Sequence, residues 1–194
     1  MCGSILPFKI DVLSTNLAIV GSSDILLNQQ FGPHIDTYTD VIRFNRAPTV
    51  GFETSVGSRT TLRVMNVNTF KCKPSDPPDD DMFASRLMSS RICVYPWDPK
   101  ENPLHPSNQI YLLNLSSLSL PPSPMPTSGM AIIHVCVSAG LIPHIFGFET
   151  NVQRIRRHYW NHYIIPPSTC HSFQDEASTL LRLAQEGKII LHGA

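Results

Sequence analysis

The sequence predicts an α/β fold in which a mainly parallel sheet is flanked by helices. Short apolar runs of strand length recur along the chain, and segments with helical spacing of apolar residues lie between the last of them. Such alternation is typical of a parallel sheet that is covered by helices on both faces. A chain of 194 residues has the length of one domain, so a single domain over residues 1–194 is expected.

Seven apolar runs carry the strand prediction, because each is short, rich in β-branched or aromatic residues and bounded by turn-forming residues. The predicted strands are residues 17–20, 41–44, 60–65, 91–95, 109–113, 144–148 and 188–191. Eleven of the 17 prolines lie between Pro74 and Pro126, which indicates an irregular proline-rich insertion at about residues 71–126 within the regular frame.

Helices are predicted at three places. Gly21-Ser22-Ser23 follows the first strand and precedes Asp24, as a tight turn that opens a helix would. Residues 128–139 are apolar nearly all round, which is typical of a helix packed on both sides. Residues 174–185 carry alanine and leucine at helical spacing and precede the last strand.

Charge and composition exclude several classes of protein. Fifteen basic residues balance fifteen acidic ones, so no positive field favours nucleic acid. No run approaches the about 18 apolar residues of a membrane span, and no secretory signal opens the chain. Five cysteines without CxxC spacing predict free thiols. The expected location of the chain as written is therefore cytoplasmic or otherwise soluble.

Two turns of small residues are candidate anion sites. Gly21-Ser22-Ser23 and Thr127-Ser128-Gly129 each stand where a helix is predicted to begin, and free amides at a helix start favour phosphate or carboxylate. In parallel sheets, ligands gather at the carboxyl ends of the strands. The two turns together favour a nucleotide or a sugar phosphate as ligand.

Two groups of residues have the spacing of metal ligands, but neither predicts a metal site. His158 and His162 are four residues apart, as helical zinc ligands would be, but Tyr159 stands where a catalytic zinc helix needs glutamate. Asp79 and Asp81 have the spacing of a cation-binding pair, but they follow two prolines in a polar loop that is typical of a solvated charge run. No metal and no cofactor is therefore expected.

Four segments resemble, in order, the four sialylmotifs of the eukaryotic-type sialyltransferase family. The segment from Leu17 to Asn66 contains AIVGSS and VIRFNRAPTVGFETSVGSRTTLRVMN and is similar to the long motif. Residues 126–148 read PTSGMAIIHVCVSAGLIPHIFGF and are similar to the short motif. The string HYWN at residues 158–161 resembles the third motif, and His171 with Glu176 supplies the HxxxxE of the last one.

The resemblance implies a single nucleotide-binding domain, a variant of the GT-A architecture. It also implies an inverting transfer of sialic acid from CMP-sialic acid to a hydroxyl of a glycan acceptor, without a metal. By this resemblance, His171 of this chain matches the family's catalytic base, which takes the proton of the acceptor hydroxyl. Imidazole suits that task at neutral pH. His158 would lie by the donor phosphate, and Asn45 would hydrogen-bond the nucleotide.

The remaining donor contacts implied by the resemblance come from the two turns. Thr127, Ser128 and Gly129 match the cradle for the donor at a helix start. Gly21, Ser22 and Ser23 match the first turn of the long motif, where most relatives have Gly-Asn-Ser. The serine at position 22 therefore changes one contact to the donor.

Two further departures from the family bear on where the chain folds. Leu17 and Gly140 stand where relatives of the secretory pathway have a disulfide between the long and short motifs, so apolar packing is expected to join these segments. The chain as written is far shorter than the typical member, so a minimal member without the amino-terminal stem and anchor is expected. A Golgi lumen location is expected instead if the chain is amino-terminally trimmed.

Two alternatives stay open at this point. The same motifs would serve a transferase of a related 2-keto sugar acid, such as Kdo, from its CMP ester. A catalytically silent module that binds CMP or a glycan would also keep the fold, although retention of His171, His158 and Asn45 argues against it. The acceptor sugar cannot be read from the sequence.

Overall fold

The computed structural model describes residues 5–7, 9–65, 91–94, 110–112, 125–154, 157–161, 164 and 171–193. The strands in these ranges are β1 Ile5–Pro7, β2 Leu17–Val20, β3 Asp40–Phe44, β4 Leu62–Met65, β5 Arg91–Val94, β6 Ile110–Leu112, β7 His144–Phe146 and β8 Ile190–His192. The α-helices are α1 Gly32–Ile35, α2 Glu53–Val56, α3 Ser128–Ser138 and α4 Phe173–Gln185. Short 3-10 helices span Ile10–Val12 and Asp24–Asn28.

The eight strands form one sheet in the order β1-β6-β5-β4-β3-β2-β7-β8, and every neighbouring pair is parallel. The predicted parallel sheet is confirmed. β2 pairs with β3 on one side and with β7 on the other. The strand order therefore changes direction at β2, which makes the crevice between β2 and β7 the topological switch point where such sheets bind ligands.

Alternate residues of each strand face opposite sides of the sheet. Leu17 and Ile19 of β2 belong to the core cluster that contains the buried side chains of α3 and α4. Ala18 and Val20 belong to a second cluster with Ile35 of α1. Helices thus cover both faces of the central strands, which explains why these strands are apolar at successive positions rather than at every second one.

The two long helices form for different reasons. α3 buries Met130, Ile132 and Ile133 without a distinct polar face, and Thr127 caps its first turn. α4 is amphipathic, buries Ala177, Leu180 and Leu183, and is capped by Ser172. Both helices agree with the predicted ranges to within one residue at each end.

Leu17 packs as the departure from the family motif predicts. Its side chain is fully buried in the cluster that also contains Met130, Ile133 and Cys136 of α3. Cys136 is a free thiol in this core, and burial raises its pKa to about 12. Cys2, Cys72 and Cys170 lie outside the described residues.

The local structure differs from the prediction at several points. The helix predicted after Gly21-Ser22-Ser23 is a 3-10 helix of only five residues, and Ser23 is its N-cap, accepting from the amide of Ile25 at 3.3 Å. β7 ends at Phe146, since Gly147 turns the chain with a φ of 69°. β1, α1 and α2 were not predicted, because each spans only three or four residues.

β5 and β6 confirm the two strands predicted inside the proline-rich insertion, most of which lies outside the described residues. No helix within the described ranges has both the length and the apolar character needed to cross a membrane.

Candidate functional site

The carboxyl edge of the sheet brings the predicted site residues together. Gly21 follows β2, Asn45 follows β3 and Gly147 follows β7, so all three lie at this edge. α3 and α4 each lead directly into a parallel strand, β7 and β8, so each helix starts at the same edge. The starts of the two helices, with Ser128 and His171 beside them, therefore border the switch point between β2 and β7.

The turn after β2 is held by main-chain hydrogen bonds to two other segments. The amides of Gly21 and Ser23 donate to the carbonyls of Phe146 and Gly147 at 2.7 and 3.2 Å. Gly21 allows this close approach, because an added Cβ would lie 2.3 Å from the carbonyl oxygen of Gly147. The carbonyl of Ser22 accepts from the amide of Tyr159 at 3.1 Å.

These contacts limit what the predicted anion site at Gly21-Ser22-Ser23 can offer to a ligand. Three consecutive amides, those of Ser23, Asp24 and Ile25, already donate to acceptors within the protein. A five-residue 3-10 helix also contributes too small a dipole to favour an anion. The amide of Ser22 and the serine hydroxyls are what this turn can offer to a ligand.

His158 lies directly against this turn. It forms an isolated antiparallel bridge with Ser23, and its ring stacks on the indole of Trp160 with a centroid distance of 4.2 Å. Its Nδ1 is shielded from solvent and has no hydrogen-bond partner among the described residues. Burial lowers the pKa of His158, so the imidazole is neutral at neutral pH and can gain a proton beside an anion.

The bridge with Ser23 also excludes a zinc helix at this position. Residues 157–160 form bridges and a turn, so His158 does not present a helical His-x-x-x-His pair. His162, Cys170, Asp79 and Asp81 lie outside the described residues. Within the described ranges, no group of three or more His, Cys, Asp or Glu side chains is arranged to hold a metal ion.

Tyr159 ties the third motif to the loop after β3. Its hydroxyl donates to the carbonyl of Pro48, 111 residues away, and its ring packs edge-on against Phe52 at 5.2 Å. The side chain is buried, and burial raises its pKa to about 12. Nothing in the sequence around Tyr159 indicates the contact with Pro48, which only the fold creates.

Asn45 is held in a left-handed turn at the end of β3. Its φ is 45°, and its amide donates to the carbonyl of Val64 at 2.9 Å. The guanidinium of Arg63 donates to the carbonyl of Asn45 at 2.8 Å and to that of Ala47 at 3.1 Å. The turn therefore places Asn45 at the carboxyl edge in a defined conformation.

The start of α3 has the properties predicted for an anion cradle. Thr127 is the N-cap and accepts from the amide of Met130 at 3.2 Å. The amides of Ser128 and Gly129 occupy the first two helical positions, whose N–H groups have no intrahelical acceptor. Gly129 lies so close to the ring of Phe148 that an added Cβ would be 2.6 Å from it, which seats the helix start against the loop after β7.

His171 and Glu176 join the start of α4 to the start of α3. Nδ1 of His171 donates to the carbonyl of Met125 at 2.7 Å, so the neutral ring carries its basic lone pair on Nε2. The carboxylate of Glu176 accepts from the amide and the hydroxyl of Thr127 at 2.6 and 2.9 Å. The clamp of Glu176 on Thr127 is a site feature that the sequence did not predict, although the HxxxxE spacing had singled the residue out.

Arg154 adds an ionic contact at the same edge. Its guanidinium lies 2.9 Å from a carboxylate oxygen of Asp24 and 2.8 Å from one of Glu149. It therefore fastens the loop after β7 to the 3-10 helix after β2. This residue carries no motif signal, and its role follows from the fold alone.

Known proteins resemble this chain in sequence and in fold. Residues 14–88 match the family model described as glycosyltransferase family 29 (sialyltransferase). In this segment the chain is similar to the sialyltransferases. The matched segment contains β2, β3 and β4 together with Gly21, Ser22, Ser23 and Asn45, and it covers the whole of the segment that resembles the long sialylmotif.

Curated sialyltransferases align with part of the chain. CMP-N-acetylneuraminate-beta-galactosamide-alpha-2,3-sialyltransferase 1 of Mus musculus is 48% identical over 54 residues, which are 28% of this chain and 16% of that protein. Beta-galactoside alpha-2,6-sialyltransferase 2 of Homo sapiens is 38% identical over 82 residues, which are 42% of this chain and 14% of that protein. The aligned segments thus span less than a fifth of these relatives' lengths.

Solved sialyltransferases share the fold over nearly the whole chain. A crystal structure of a mammalian sialyltransferase superposes with a TM-score of 0.61 at 19% identity, covering 96% of this chain and 72% of that one. A mammalian sialyltransferase in complex with Gal-beta-1-3GalNAc-ortho-nitrophenol superposes with a TM-score of 0.59 at 19% identity, covering 92% and 69%. At such identity the likeness concerns the fold.

Proposed function

We propose that the protein is a glycosyltransferase that moves sialic acid from CMP-sialic acid to a hydroxyl of a glycan acceptor, with inversion and without a metal, on a GT-A-like variant of the α/β fold. The observation that carries the proposal is the convergence of all four motif segments at one edge of the sheet. The third motif contacts the first turn through Ser22 and Tyr159, and the last motif contacts the short motif through Glu176 and Thr127.

In this proposal the donor lies across the switch point. The free amides and positive dipole end of α3 at Ser128 and Gly129 would hold the sialic acid carboxylate. Asn45 would hydrogen-bond the nucleotide. Gly21 would allow the turn after β2 to lie close to the donor, with Ser22 and Ser23 offering an amide and two hydroxyls.

The two histidines have different tasks. His171, whose Nε2 carries the lone pair, would take the proton of the acceptor hydroxyl as that oxygen attacks the anomeric carbon of the sialic acid. His158, whose pKa is lowered by burial, would gain a proton or donate a hydrogen bond beside the donor phosphate. The leaving group is then CMP, a monophosphate ester that needs no cation to bridge two phosphates.

The acceptor class is inferred from the names of similar proteins and from a ligand bound to one of them. Two of them carry beta-galactoside or beta-galactosamide in their names, and one structural relative is bound to a Gal-beta-1-3GalNAc glycoside. We therefore propose a terminal galactoside as the acceptor class. CMP-Kdo serves as the competing donor in the test below.

The test is a transfer assay with CMP-sialic acid or CMP-Kdo and an array of terminal galactosides, together with a direct measurement of CMP binding. His171→Ala is expected to lower the transfer rate by about 10²- to 10⁴-fold and to leave CMP affinity nearly unchanged, because the base acts on the acceptor. EDTA is expected to leave the rate unchanged.

The matched control is His34→Gln, which alters an exposed histidine that contacts Tyr38, His144 and His192 rather than the site. It should retain the full transfer rate. A His171→Ala rate above about a tenth of that of the unaltered protein would refute the role of His171. Loss of activity in EDTA that manganese restores would refute the metal-independent mechanism.

A further inference from the structure

The turn that carries Asn45 needs support from outside its own sequence. Asn45 is the one non-glycine residue with a positive φ among the described residues. The left-handed region crowds the Cβ of an L-residue, so other interactions must hold Asn45 there. Its amide donates to Val64 of the neighbouring strand, which fixes the start of the turn, whereas the carbonyls of the turn need donors of their own.

Arg63 supplies these donors from the neighbouring strand β4. A single nitrogen, Nη1, donates to the carbonyls of Asn45 at 2.8 Å and Ala47 at 3.1 Å, and it lies 3.5 Å from that of Phe44. One cationic group thus reaches three carbonyls of a four-residue turn. Hydrogen bonds from a charged donor are stronger than those from neutral groups.

Burial makes this arrangement rigid. Arg63 is only 7% exposed, and it is paired in register with Arg43, which is 1% exposed, on the adjacent strand β3. Arg43 serves a different segment, because it donates to the carbonyls of Val56 and Arg59. Burial of a cation has a large desolvation cost, which is offset only where its hydrogen bonds are made.

We propose that Arg63 is a positioning residue that sets the affinity for the cytidine nucleotide by holding Asn45 in its left-handed turn. The proposal rests on the proposed function, since that function assigns Asn45 to the nucleotide. Arg63 itself acts through the main chain of the turn. The expected signature is a change in donor binding, seen as a higher KM with little change in kcat, because the groups that perform proton transfer are elsewhere.

The test compares Arg63→Met and Arg63→Lys with the unaltered protein in CMP binding and in transfer kinetics. Arg63→Met should raise the Kd for CMP by about tenfold, the loss expected when one hydrogen bond between Asn45 and the nucleotide is broken. Arg63→Lys should lie between the two, because lysine keeps a charged donor but its side chain is one bond too short to place the nitrogen where Nη1 of Arg63 lies.

The matched control is Arg59→Met. The guanidinium of Arg59 also donates to main-chain carbonyls, those of Asp36, Tyr38 and Thr39, but it does not contact the Asn45 turn. Arg59→Met should lower the melting temperature and leave the Kd for CMP within about twofold. The loss of CMP affinity in the Arg63 variants must exceed that of the control at equal retained folding.

Hydrogen exchange gives a readout that does not depend on activity. Arg63→Met should speed exchange of the Ala47 amide, which donates to the carbonyl of Phe44 within the turn, while Arg59→Met should not. Unchanged exchange and a CMP Kd within about threefold in folded Arg63→Met would overturn the positioning role. Failure of the unaltered protein to bind CMP would instead overturn the proposed function. If Arg63→Met does not fold, Arg63→Lys decides between these outcomes by the same two measurements.

Discussion

The protonation of the two histidines at the site depends on their immediate surroundings. The carbonyl of Met125 accepts a hydrogen bond from Nδ1–H of His171, which leaves the lone pair on Nε2. Burial beside Trp160 lowers the pKa of His158 and keeps the imidazole neutral at neutral pH. The different surroundings suit the two histidines to the two tasks proposed for them, and the sequence alone does not reveal this difference.

Glu176 is expected to stabilise the donor cradle rather than to react. Glu176→Gln keeps the shape of the side chain but removes the charge that strengthens both hydrogen bonds to Thr127. The expected loss is about 2 kcal/mol of the free energy of unfolding, which corresponds to a melting temperature lower by about 4–8 °C. Affinity for the donor should fall with it, since Thr127 caps the helix whose amides are proposed to bind the carboxylate.

Asp175→Asn is the control for this prediction. Asp175 lies in the same first turn of α4 and carries the same charge, but its side chain is exposed and does not contact Thr127. It should cost well under 1 kcal/mol and leave donor affinity unchanged. Equal effects of the two substitutions, measured by thermal unfolding and CMP titration, would show that only the charge at the helix start matters.

At the scale of elements, the site depends on two strands meeting closely at their carboxyl ends. The turn after β2 crosses the turn after β7 with only the backbone of Gly21 between them. β2 and β7 run side by side, with Val20 opposite Phe146, so the crossing follows directly from the pairing of the strands. The change in strand order at β2 is therefore also a point of close backbone packing.

Gly21→Ala tests this crossing. An added Cβ would lie 2.3 Å from the carbonyl oxygen of Gly147 and 2.9 Å from the ring of Phe148, so the main chain must shift. The expected cost is at least about 1–3 kcal/mol in the free energy of unfolding, together with weaker CMP binding. Chemical denaturation and CMP titration measure both effects.

Gly140→Ala provides the comparison. Gly140 has a φ of 79° but nothing lies within 4 Å of an added Cβ, so only the backbone conformation opposes alanine there. The expected cost is about 1–2 kcal/mol without an effect on CMP. If Gly21→Ala were as stable as the unaltered protein, the close approach of β2 and β7 would be disproved.

Across the whole molecule, partly buried imidazoles link stability to pH. Burial lowers the pKa of His134, His144, His158 and His192, and neighbouring cations or imidazoles lower three of these further. His144 and His192 share a hydrogen bond of 2.9 Å between Nδ1 and Nε2, and the ring of His34 lies 5.4 Å from that of His192. Two protonated rings at this distance would repel each other.

Stability is therefore expected to fall in mild acid. The unfolded chain takes up protons as the pH drops below about 6.5, whereas the folded protein resists them until the pH reaches its lowered pKa values. The melting temperature should decrease between about pH 7.5 and about pH 5.5. The double variant His144→Gln, His192→Gln should show a shallower decrease over the same range.

Phe31→Leu is the matched control for the histidine pair. The ring of Phe31 packs against His192 with a centroid distance of 6.0 Å, so its loss weakens the same region without removing a titrating group. It should lower the melting temperature at every pH and keep the slope of the unaltered protein. A melting temperature independent of pH in the unaltered protein would contradict the prediction.

The positions of the central strands and the two long helices could be predicted from the sequence, because burial of these elements requires apolar residues in recognisable local patterns. Strands covered on both faces read as continuous apolar runs, as in 17–20 and 41–44, and α4 shows helical spacing of Ala177 and Leu180. The motif strings also singled out His158, His171 and Glu176, because their residue types and spacing are local features of the chain.

Only the tertiary structure decided how these residues act together, because their contacts join segments far apart in the chain. Glu176 holds Thr127 across 49 residues, Tyr159 reaches Pro48 across 111, and Arg63 fastens the Asn45 turn from the next strand. The sequence predicted an anion site at the turn after β2, but the amides of Gly21 and Ser23 donate to carbonyls of the segment around Gly147 instead. Buried polar groups need hydrogen-bond partners. Which partner lies within reach depends on the strand order and the packing, and local sequence patterns do not contain this information.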